Sequence, residues 1–462
     1  FGPNGVGKCV AGNCYVGTDK GLVPIRDLFD GKQLQPDTWY DANFSVDCNG
    51  NSLDVKKIYY NGYGKTVKIT TQHGYTLEGS FDRHSILGLK DEIRFVKLSE
   101  LKKDDIACIS RKSCLPNKST ISLEMAGILG YLIAEGSVSS KSWTFHNSDN
   151  EVLQNFSDLF FKEFNQKLIL GKPRSITNNC RAIYISSKYK KKILDGGLLP
   201  VKPGDKTVPF AVMNGSKEII CKFLQCYFEG DGGVICNNSV CCVSKSYNLL
   251  HQIHLLLLRL GIVAILEKRF TKKLSYVNKS YVSWALIIGG NNVTKYEKDI
   301  GFVSRTKKDK LTQVTSRVKC SNPNLDVIPS CLCRGLFPIV RTHAQNKKIK
   351  FSRADYKNTK NGLHCLEPNY LSMVKKGISK EKLLACFTTS QYPIGKDLQW
   401  INEDYLFDKI VSIEIGYNEL FDISVEQEHK FWSNGFISHN SMLLEAISML
   451  TANWSGRNAL LV

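Results

Sequence analysis

The first eight residues, FGPNGVGK, contain a motif that is interrupted immediately afterwards. Gly2, Gly7 and Lys8 have the Gly-x-x-x-x-Gly-Lys spacing of a phosphate-binding loop, in which backbone N–H groups surround phosphates and the lysine reaches the terminal ones. Such a loop requires Ser or Thr next, to hold magnesium and to begin a helix. The next residue is Cys9, and the sequence CVAGNCYVGTDKGLVPIRDL that follows predicts short strands and turns instead.

The missing serine occurs near the other end of the chain. Ser441 begins SMLLEAISMLTANWSGRNALLV, in which an amphipathic helix pattern is followed by a polar turn and an apolar strand. Joining Lys8 to Ser441 gives the sequence GPNGVGKS, which is a complete phosphate-binding loop motif. Residues 9–440 are therefore predicted to be an insertion in a host ATPase. After joining, ATP and its magnesium ion would be held by Gly2, Gly5, Gly7, Lys8 and Ser441.

The composition favours a polyanionic partner. Lys and Arg total 62 of the 462 residues against 43 Asp and Glu, a formal net charge of +19. A positive balance of this size suits a nucleic acid backbone. The length also predicts several domains, each with its own core.

Cysteine usage and hydropathy indicate the cellular compartment expected for this protein. The 16 cysteines show no paired C-x-x-C spacing of a zinc site, so reduced thiols are expected. No charged-then-apolar leader opens the chain, and the most apolar stretch, Leu255 to Leu266, is short and interrupted by Arg259. We therefore expect a cytoplasmic or nucleoid-associated protein that is neither secreted nor inserted in a membrane.

The insertion divides into regions of different pattern. Its two ends are rich in short β patterns, and the middle carries two similar segments, AGILGYLIAEGS at 126–137 and KFLQCYFEGDGG at 222–233. In chain order the predicted parts are a host flank at 1–8, a first β region at 9–115, a mixed helix and strand region at 116–320, a basic accessory region at 321–402, a second β region at 403–440 and a host flank at 441–462.

The residues at the two junctions suit a rearrangement of peptide bonds. A cysteine thiol such as that of Cys9 can attack the preceding carbonyl to give a thioester, and the hydroxyl of Ser441 can take over that acyl group. The amide of Asn440 can attack its own carbonyl, cyclise and cut the chain. An imidazole such as that of His439 would serve as proton donor or acceptor.

These junctions resemble those of inteins, which excise themselves from a host protein. The opening residues Cys9, Gly12, Thr18 and Gly21, and the ending FDISVEQEHKFWSNGFISHN before Ser441, are similar to the first and last splicing blocks of that family. The resemblance implies an all-β splicing domain of the Hint type, formed by the two β regions, that needs no cofactor.

The same resemblance assigns roles to the junction residues. It implies that Cys9 starts the acyl shift and that Ser441 accepts the N-terminal segment. Asn440 would then cyclise with the help of His439.

Three further residues take their roles from the same family. Asp422 and His429 match its penultimate block, where they would position or protonate the junctions. Its internal histidine block, usually Thr-x-x-His, corresponds to GSFDRHSIL, in which His84 would activate the first bond. Phe81 stands where threonine is usual, and Ser80 precedes it.

The two repeated segments resemble the LAGLIDADG motif of homing endonucleases, as ILGYLIAEG at 128–136 and LQCYFEGDG at 224–232. The resemblance implies an α/β pseudo-twofold domain whose two motif helices pack through small residues. Glu135 and Asp231 would then lie side by side at the helix ends. With the scissile phosphates they would form a hard-oxygen site for magnesium. Glu135 departs from the usual aspartate by one methylene.

The family also places one basic residue in each half of the domain. Lys206 in GDKTVP and Lys307 in GFVSRTKKDKL follow their respective acids by comparable distances along the chain. They are therefore the predicted catalytic lysines.

The predicted function has two parts. The chain would excise residues 9–440 and ligate Lys8 to Ser441, which restores the host ATPase, a viral terminase or another P-loop motor. The freed insert, a monomer, would cut double-stranded DNA of the host gene that lacks the insertion. Two alternatives stay open: a splicing element with an inactive nuclease, and an ATPase with a retained DNA-binding insertion.

Overall fold

The computed structural model describes most of the predicted insertion. Its described residues are 8–139, 142–173, 180–235, 238–271, 281–318, 327–332, 377–380, 398–425 and 428–439, with single residues and pairs between 336 and 395. Gly2, Gly5, Gly7, Asn440 and Ser441 lie outside them.

The first part of the chain folds into short and long strands. They are β1 (Val10–Ala11), β2 (Tyr15–Thr18), β3 (Gly21–Pro24), β4 (Thr38–Cys48), β5 (Asn51–Thr71), β6 (Thr76–Ser80), β7 (Ser85–Leu89), β8 (Ile93–Lys97) and β9 (Ile106–Ser110). Two 3-10 helices, Ile25–Phe29 and Leu98–Glu100, connect them.

The middle of the chain alternates helices with strands. In order these are α1 (Leu123–Glu135), β10 (Gly136–Val138), β11 (Trp143–Asn147), α2 (Asn150–Phe164), β12 (Arg181–Ile185), α3 (Ser187–Asp195), α4 (Phe210–Met213), α5 (Lys217–Asp231), β13 (Gly232–Ile235), β14 (Ser239–Ser244), α6 (Tyr247–Arg259), β15 (Ile265–Thr271), β16 (Tyr281–Ile288), α7 (Asn291–Asp299) and α8 (Arg305–Val318).

The last part returns to strands. It contains β17 (Val327–Ile328), β18 (Ile378–Ser379), α9 (Gln399–Asn402), β19 (Tyr405–Val425), β20 (Lys430–Ser433) and β21 (Phe436–His439). Among the residues described, no helix is long and apolar enough to cross a membrane.

One antiparallel sheet joins the two ends of the insertion. Among the described residues its 12 strands are β1–β9 and β19–β21, and the described segments between β9 and β19 contribute none. The long strand β19 pairs with β5 along most of its length, from Ile410 opposite Thr71 to Val425 opposite Val55. Alternate side chains of these strands, such as Val67 and Ile69, are fully buried, as expected of strands with one face on the core. The predicted β domain built from both ends is thus present.

The middle of the chain forms two smaller sheets with helices. One contains β10–β12 and the other β13–β16 in the order β13-β14-β16-β15. Each sheet follows a long helix, α1 or α5, that ends at the strand β10 or β13. Ser122 caps α1 by accepting a hydrogen bond from the Met125 N–H at 3.0 Å. The central region therefore has the mixed α/β character predicted for it.

Helices α1 and α5 pack closely through small residues. A β-carbon added at Gly130 would lie 2.5 Å from the Phe223 carbonyl oxygen and 3.0 Å from Cβ of Cys226. One added at Gly230 would lie 2.5 Å from Cβ of Ala134. These approaches leave no room for a larger side chain at either glycine. The ends of the two helices are consequently held together.

Helix α6 packs the central region against the large sheet. The side chain of Gln252 donates to the Tyr15 hydroxyl at 2.6 Å and accepts from the Val208 N–H at 2.7 Å. The His254 ring stacks on Tyr75 with centroids 4.0 Å apart. At the end of the helix, the buried guanidinium of Arg259 donates to the Ser113 hydroxyl at 2.6 Å. This interface joins the two parts of the insertion through polar contacts as well as apolar ones.

Two buried histidines of α6, His251 and His254, should make the fold less stable in acid. Burial lowers the pKa of His251 to about 4 and that of His254 to about 3. Below the ordinary histidine pKa of about 6.5, these side chains bind protons in the unfolded chain but stay neutral in the folded chain. The free energy of unfolding therefore decreases as the pH is lowered. We expect each of these histidines to cost about 2 kcal/mol of unfolding free energy between pH 7 and pH 5.

Urea unfolding at the two pH values measures this effect. His254→Phe should keep the aromatic contact with Tyr75 and make the dependence on pH shallower. An identical pH dependence in the variant and in the wild-type protein would contradict the assignment.

Candidate functional site

The upstream junction is fixed between two strands of the large sheet. Strand β1 directly follows Cys9 and lies between β6 and β19, where Val10 is opposite both Gly79 and Phe421. The carbonyl oxygen of Cys9 accepts a hydrogen bond from the backbone N–H of Ser80 at 2.8 Å. The peptide bond between Lys8 and Cys9 is therefore held by backbone contacts on the Cys9 side.

The Cys9 thiol lies in a small apolar pocket. Cys9 is fully buried and clusters with Tyr59 and Leu420, and Trp39 packs against them. Burial raises the pKa of Cys9 well above its ordinary value, and the nearby Asp422 carboxylate raises it further. The thiol is therefore protonated at neutral pH, and its attack on a carbonyl requires a group that takes its proton.

His84 contacts the carbonyl that Cys9 would attack. Its Nδ1 lies 2.8 Å from the carbonyl oxygen of Lys8, and its Nε2 lies 3.1 Å from the Ser438 hydroxyl. Burial lowers the pKa of His84 to about 4, so the ring is neutral at pH 7. Because a carbonyl can only accept, Nδ1 carries the proton and donates it, and Nε2 accepts from Ser438. The imidazole is thus oriented to polarise the Lys8 carbonyl.

Gly79 makes room for this arrangement. A β-carbon at Gly79 would lie 2.8 Å from the His84 ring and 3.0 Å from the Cys9 carbonyl oxygen. Any other residue would push the imidazole away from the junction or shift the strand that holds Cys9. Gly79 is a site residue that sequence reasoning missed, although it directly precedes Ser80 in the segment that identified His84.

Asp422 and His429 are placed differently. Asp422 lies on β19, is fully buried and accepts from the Ile423 N–H at 2.9 Å. Its carboxylate is close enough to act on both the Cys9 thiol and the Lys8 ammonium. His429 lies in a left-handed turn with φ 52° before β20, and its side chain makes no hydrogen bond to any described residue. Asp422 therefore lies at the upstream junction, whereas no contact with a described residue places His429 there.

The downstream junction begins on β21. Its last residue, His439, pairs with Ser85 on β7 and with Lys430 on β20. The Nδ1 of His439 lies 3.1 Å from the Nζ of Lys8, and its ring packs edge-on against Phe95. The structure therefore brings the chain before Cys9 and the chain before Asn440 into direct contact.

Ser438 was not singled out by sequence reasoning either. It is fully buried, and its hydroxyl is the partner of His84. The position next to His439 is the signal that could have found it. Through Ser438, the histidine of the upstream junction is tied to the strand that carries the downstream one.

A second cluster lies where α1 and α5 end. Glu135 and Asp231 are the last residues of the two helices, and a β-carbon at Gly230 would lie 2.9 Å from Cγ of Glu135. Burial raises the pKa of Glu135, and burial together with the Glu135 carboxylate raises the pKa of Asp231 to about 7. The two acids are therefore close enough to oppose each other's ionisation.

The two predicted lysines lie at the same helix ends. Lys206 Nζ donates to the carbonyl oxygen of Ile133 at 2.6 Å, near the end of α1. Lys307 Nζ donates to the carbonyl oxygen of Gly232 at 2.8 Å, just after α5. Burial lowers the pKa of Lys307, while the nearby carboxylates of Glu229, Glu135 and Asp231 oppose that shift. Each helix therefore ends in one acid with one lysine beside it.

The donor set of this cluster suits a hard divalent cation. Two carboxylates that raise each other's proton affinity gain from a shared cation, and oxygen is the ligand that magnesium prefers. In the described part of the chain no group of three or more His, Cys, Asp and Glu side chains forms a metal site on its own. The remaining ligands would have to come from outside, as phosphate oxygens and water do in a nuclease.

One sheet assembled from both ends of the described chain, with a buried histidine that contacts both Lys8 and Ser438 on the last described strand, is the arrangement expected of a protein-splicing domain. The chain belongs to the intein splicing domain family, whose model matches residues 17–440.

The chain is also similar to parts of longer curated proteins. The chain is 29% identical over 338 residues to a replication factor C small subunit of Methanocaldococcus jannaschii, covering 71% of this chain and 18% of that protein. It is 24% identical over 473 residues to the replicative DNA helicase DnaB of Rhodothermus marinus, covering 95% of this chain and 46% of that protein. The chain thus spans less than half the length of either relative.

Solved structures with partial likeness include a DnaB intein from Synechocystis, at 18% identity over 22% of this chain and 69% of that chain, with a TM-score of 0.18. Another is the homing endonuclease I-WcaI bound to its DNA recognition sequence, at 13% identity over 42% of this chain and 88% of that chain, with a TM-score of 0.31. Likenesses of this size do not by themselves define a fold.

Proposed function

We propose that the chain excises residues 9–440 and joins Lys8 to Ser441 by autocatalytic splicing. The observation that carries this proposal is the position of His84, which donates to the Lys8 carbonyl at 2.8 Å and accepts from Ser438 on the strand of the downstream junction. The buried side chain of His84 thereby contacts both the Lys8 acyl group, which is transferred, and strand β21, which leads to the acceptor Ser441.

The first step moves the upstream acyl group. The Cys9 sulfur attacks the Lys8 carbonyl carbon, and the charge that develops on its oxygen is stabilised by the Nδ1–H of His84. The carbon–sulfur bond forms, the bond from that carbon to the Cys9 nitrogen breaks, and the thiol proton ends on that nitrogen. Asp422, which lies close enough to act on the thiol, is the group proposed to carry this proton.

The later steps use the downstream junction. The Ser441 hydroxyl attacks the thioester, the carbon–sulfur bond breaks, and the hydroxyl proton returns to the Cys9 sulfur. The side-chain nitrogen of Asn440 then attacks its own carbonyl carbon, which breaks the bond to Ser441 and passes a proton to the Ser441 nitrogen. His439 assists that transfer. A final shift of the acyl group from the Ser441 oxygen to its nitrogen forms the peptide bond.

Mass spectrometry of the expressed chain tests this function. We expect two products, the excised residues 9–440 and a protein with Lys8 joined to Ser441. Asn440→Ala should abolish C-terminal cleavage and leave thioester formation intact, because only the cyclising amide is lost. Cys9→Ala should abolish the ligated product. Release of the insert from the Asn440→Ala protein at the wild-type rate would overturn the assignment.

The host function is proposed to begin only after splicing. Lys8 and Ser441 must contact the same phosphate and magnesium ion in a phosphate-binding loop, and the insertion separates them in sequence. The spliced product is therefore proposed to bind ATP and magnesium through Gly2, Gly5, Gly7, Lys8 and Ser441. A terminase or another P-loop motor is the proposed host.

We propose further that the excised insert is a LAGLIDADG-type homing endonuclease that cuts the uninterrupted host gene around the codons for GPNGVGKS. Glu135 and Asp231 would hold a magnesium ion, which stabilises charge on the scissile phosphate and activates water when bound. Lys206 and Lys307 place positive charge beside the two acids. The arrangement of one acid and one lysine in each half supports a pseudo-twofold enzyme that attacks both strands.

The charge of the chain supports DNA as the partner. The net charge of +19 predicts an affinity that falls steeply with salt. The strand β15 presents Lys268 and Arg269 beside Phe270, whose side chain is 70% exposed. Basic and aromatic side chains on an exposed strand suit phosphate contacts and base stacking.

A further inference from the structure

The host lysine next to the insertion reaches both junctions. The carbonyl oxygen of Lys8 accepts from His84 Nδ1 at 2.8 Å, and the Nζ of the same residue lies 3.1 Å from His439 Nδ1. Lys8 belongs to the upstream flank, so it leaves the insert when splicing is complete. Its side chain is nevertheless in contact with the histidine that precedes Asn440.

The direction of this hydrogen bond determines the state of His439. A lysine ammonium has three donors and no acceptor, so His439 Nδ1 must accept. The ring then carries its proton on Nε2, and its remaining lone pair is occupied by Lys8. Burial lowers the pKa of Lys8, and the buried carboxylate of Asp422 opposes that shift by favouring the charged ammonium. His439 therefore cannot take up a proton at Nδ1 while this contact lasts.

We propose that Lys8 is a positioning residue that delays the downstream cleavage until the upstream acyl group has moved. Before the acyl shift, Lys8 is held at His439 because its backbone is anchored by His84 and by strand β1. After transfer, the Lys8 carbonyl carbon is bonded to the Ser441 oxygen and no longer to Cys9, so this anchor is gone. His439 is then available for the cyclisation of Asn440. This inference rests on the proposed splicing function.

The delay matters because the two cleavages are chemically independent. If Asn440 cyclised first, the bond to Ser441 would break before the N-terminal segment had been transferred, and the host could not be ligated. Lys8, which contacts His439, belongs to the segment that is transferred. The contact is therefore present before the transfer and lost after it. The order of the steps is thereby coupled to the position of one side chain.

The test uses the full chain with the upstream step blocked. In the Cys9→Ala protein Lys8 stays attached, and we expect slow C-terminal cleavage. Adding Lys8→Met should raise the rate of that cleavage about tenfold, the factor expected for loss of a hydrogen bond with one charged partner. Lys8→Arg, which keeps donors and charge, should stay near the parent rate. Lys56→Met, at an exposed lysine of β5, is the matched control and should change nothing.

A spectroscopic readout separates positioning from a general structural effect. Nitrogen NMR of the His439 ring in the Cys9→Ala protein should report a proton on Nε2, and Lys8→Met should shift the ring toward a mixture of forms. An unchanged or slower C-terminal cleavage in the Lys8→Met protein, or an unchanged ring signal, would overturn the proposal. Adding Asn440→Ala to either protein should abolish the cleavage, and its persistence would instead count against the splicing mechanism itself.

Discussion

Replacing His84 by alanine is expected to slow thioester formation at Cys9 by a factor of about 10² to 10³, the range for loss of one donor to a developing oxyanion. The reason is geometric, since Nδ1 donates to the Lys8 carbonyl oxygen at 2.8 Å within a buried site. The rate is measured as N-terminal cleavage by an added thiol in an Asn440→Ala background, where cyclisation at residue 440 is blocked.

Two controls make this result specific. Ser438→Ala removes the partner of Nε2 and leaves the donor to Lys8 in place, so its effect should be smaller. His343→Ala changes a histidine whose ring contacts the Gln391 carbonyl and should leave the rate unaltered. Wild-type DNA binding by the His84→Ala protein would show that the fold is retained. A wild-type rate of thioester formation in that protein would remove His84 from the first step.

Replacing Asp231 by asparagine is expected to abolish cleavage of at least one DNA strand while binding is retained. Asp231 lies at the end of α5 beside Glu135, where burial raises its pKa to about 7, and its carboxylate is the group proposed to hold magnesium. Loss of one charged ligand should reduce the cleavage rate by a factor of about 10² or more. Supercoiled plasmid carrying the uninterrupted host site reports nicked and linear products separately.

The matched control is Asp309→Asn, at an exposed acid on α8. The protein with this change should cut both DNA strands normally. Splicing should be unaffected by either change, because the splice junctions lie on the large sheet and Asp231 does not. If the wild-type insert neither binds nor cuts this DNA in magnesium, the homing function is wrong. If it binds without cutting, Glu135→Asp should restore cleavage when the missing activity results from the longer acid.

The close contact between α6 and the large sheet fixes the central region on the sheet. Gln252 donates a hydrogen bond to Tyr15 of β2, and Arg259 donates one to Ser113, which follows β9. Because these contacts are buried, they hold the central region in one position relative to the splice junctions. In the described part of the chain, the hydrogen-bond partners of Gln252 and Arg259 do not include Cys9 or His84, so we expect the proposed splicing chemistry to depend on the large sheet and not on Glu135 or Asp231.

The sequence alone predicted the position of the insertion, because a phosphate-binding loop is a local motif and its interruption after Lys8 is visible along the chain. It also predicted the junction nucleophiles, the β character of the two ends and the repeated helices, since each depends on residue type and short spacing. The two lysines, Lys206 and Lys307, were predicted from a resemblance, and in the structure each contacts a backbone carbonyl at the end of one motif helix while the charges of both lysines act on Glu135.

Only the tertiary structure decided which groups meet at the junctions. Gly79, Ser438 and the side chain of Lys8 have no signal in sequence spacing, because they meet only when strands from opposite ends of the insertion pair. Burial, which sets the protonation of Cys9 and His84, is likewise a property of the whole sheet and not of the residues around them. Local sequence specifies the reactive groups, whereas long-range pairing determines their distances and their proton affinities, and with them the order in which they can react.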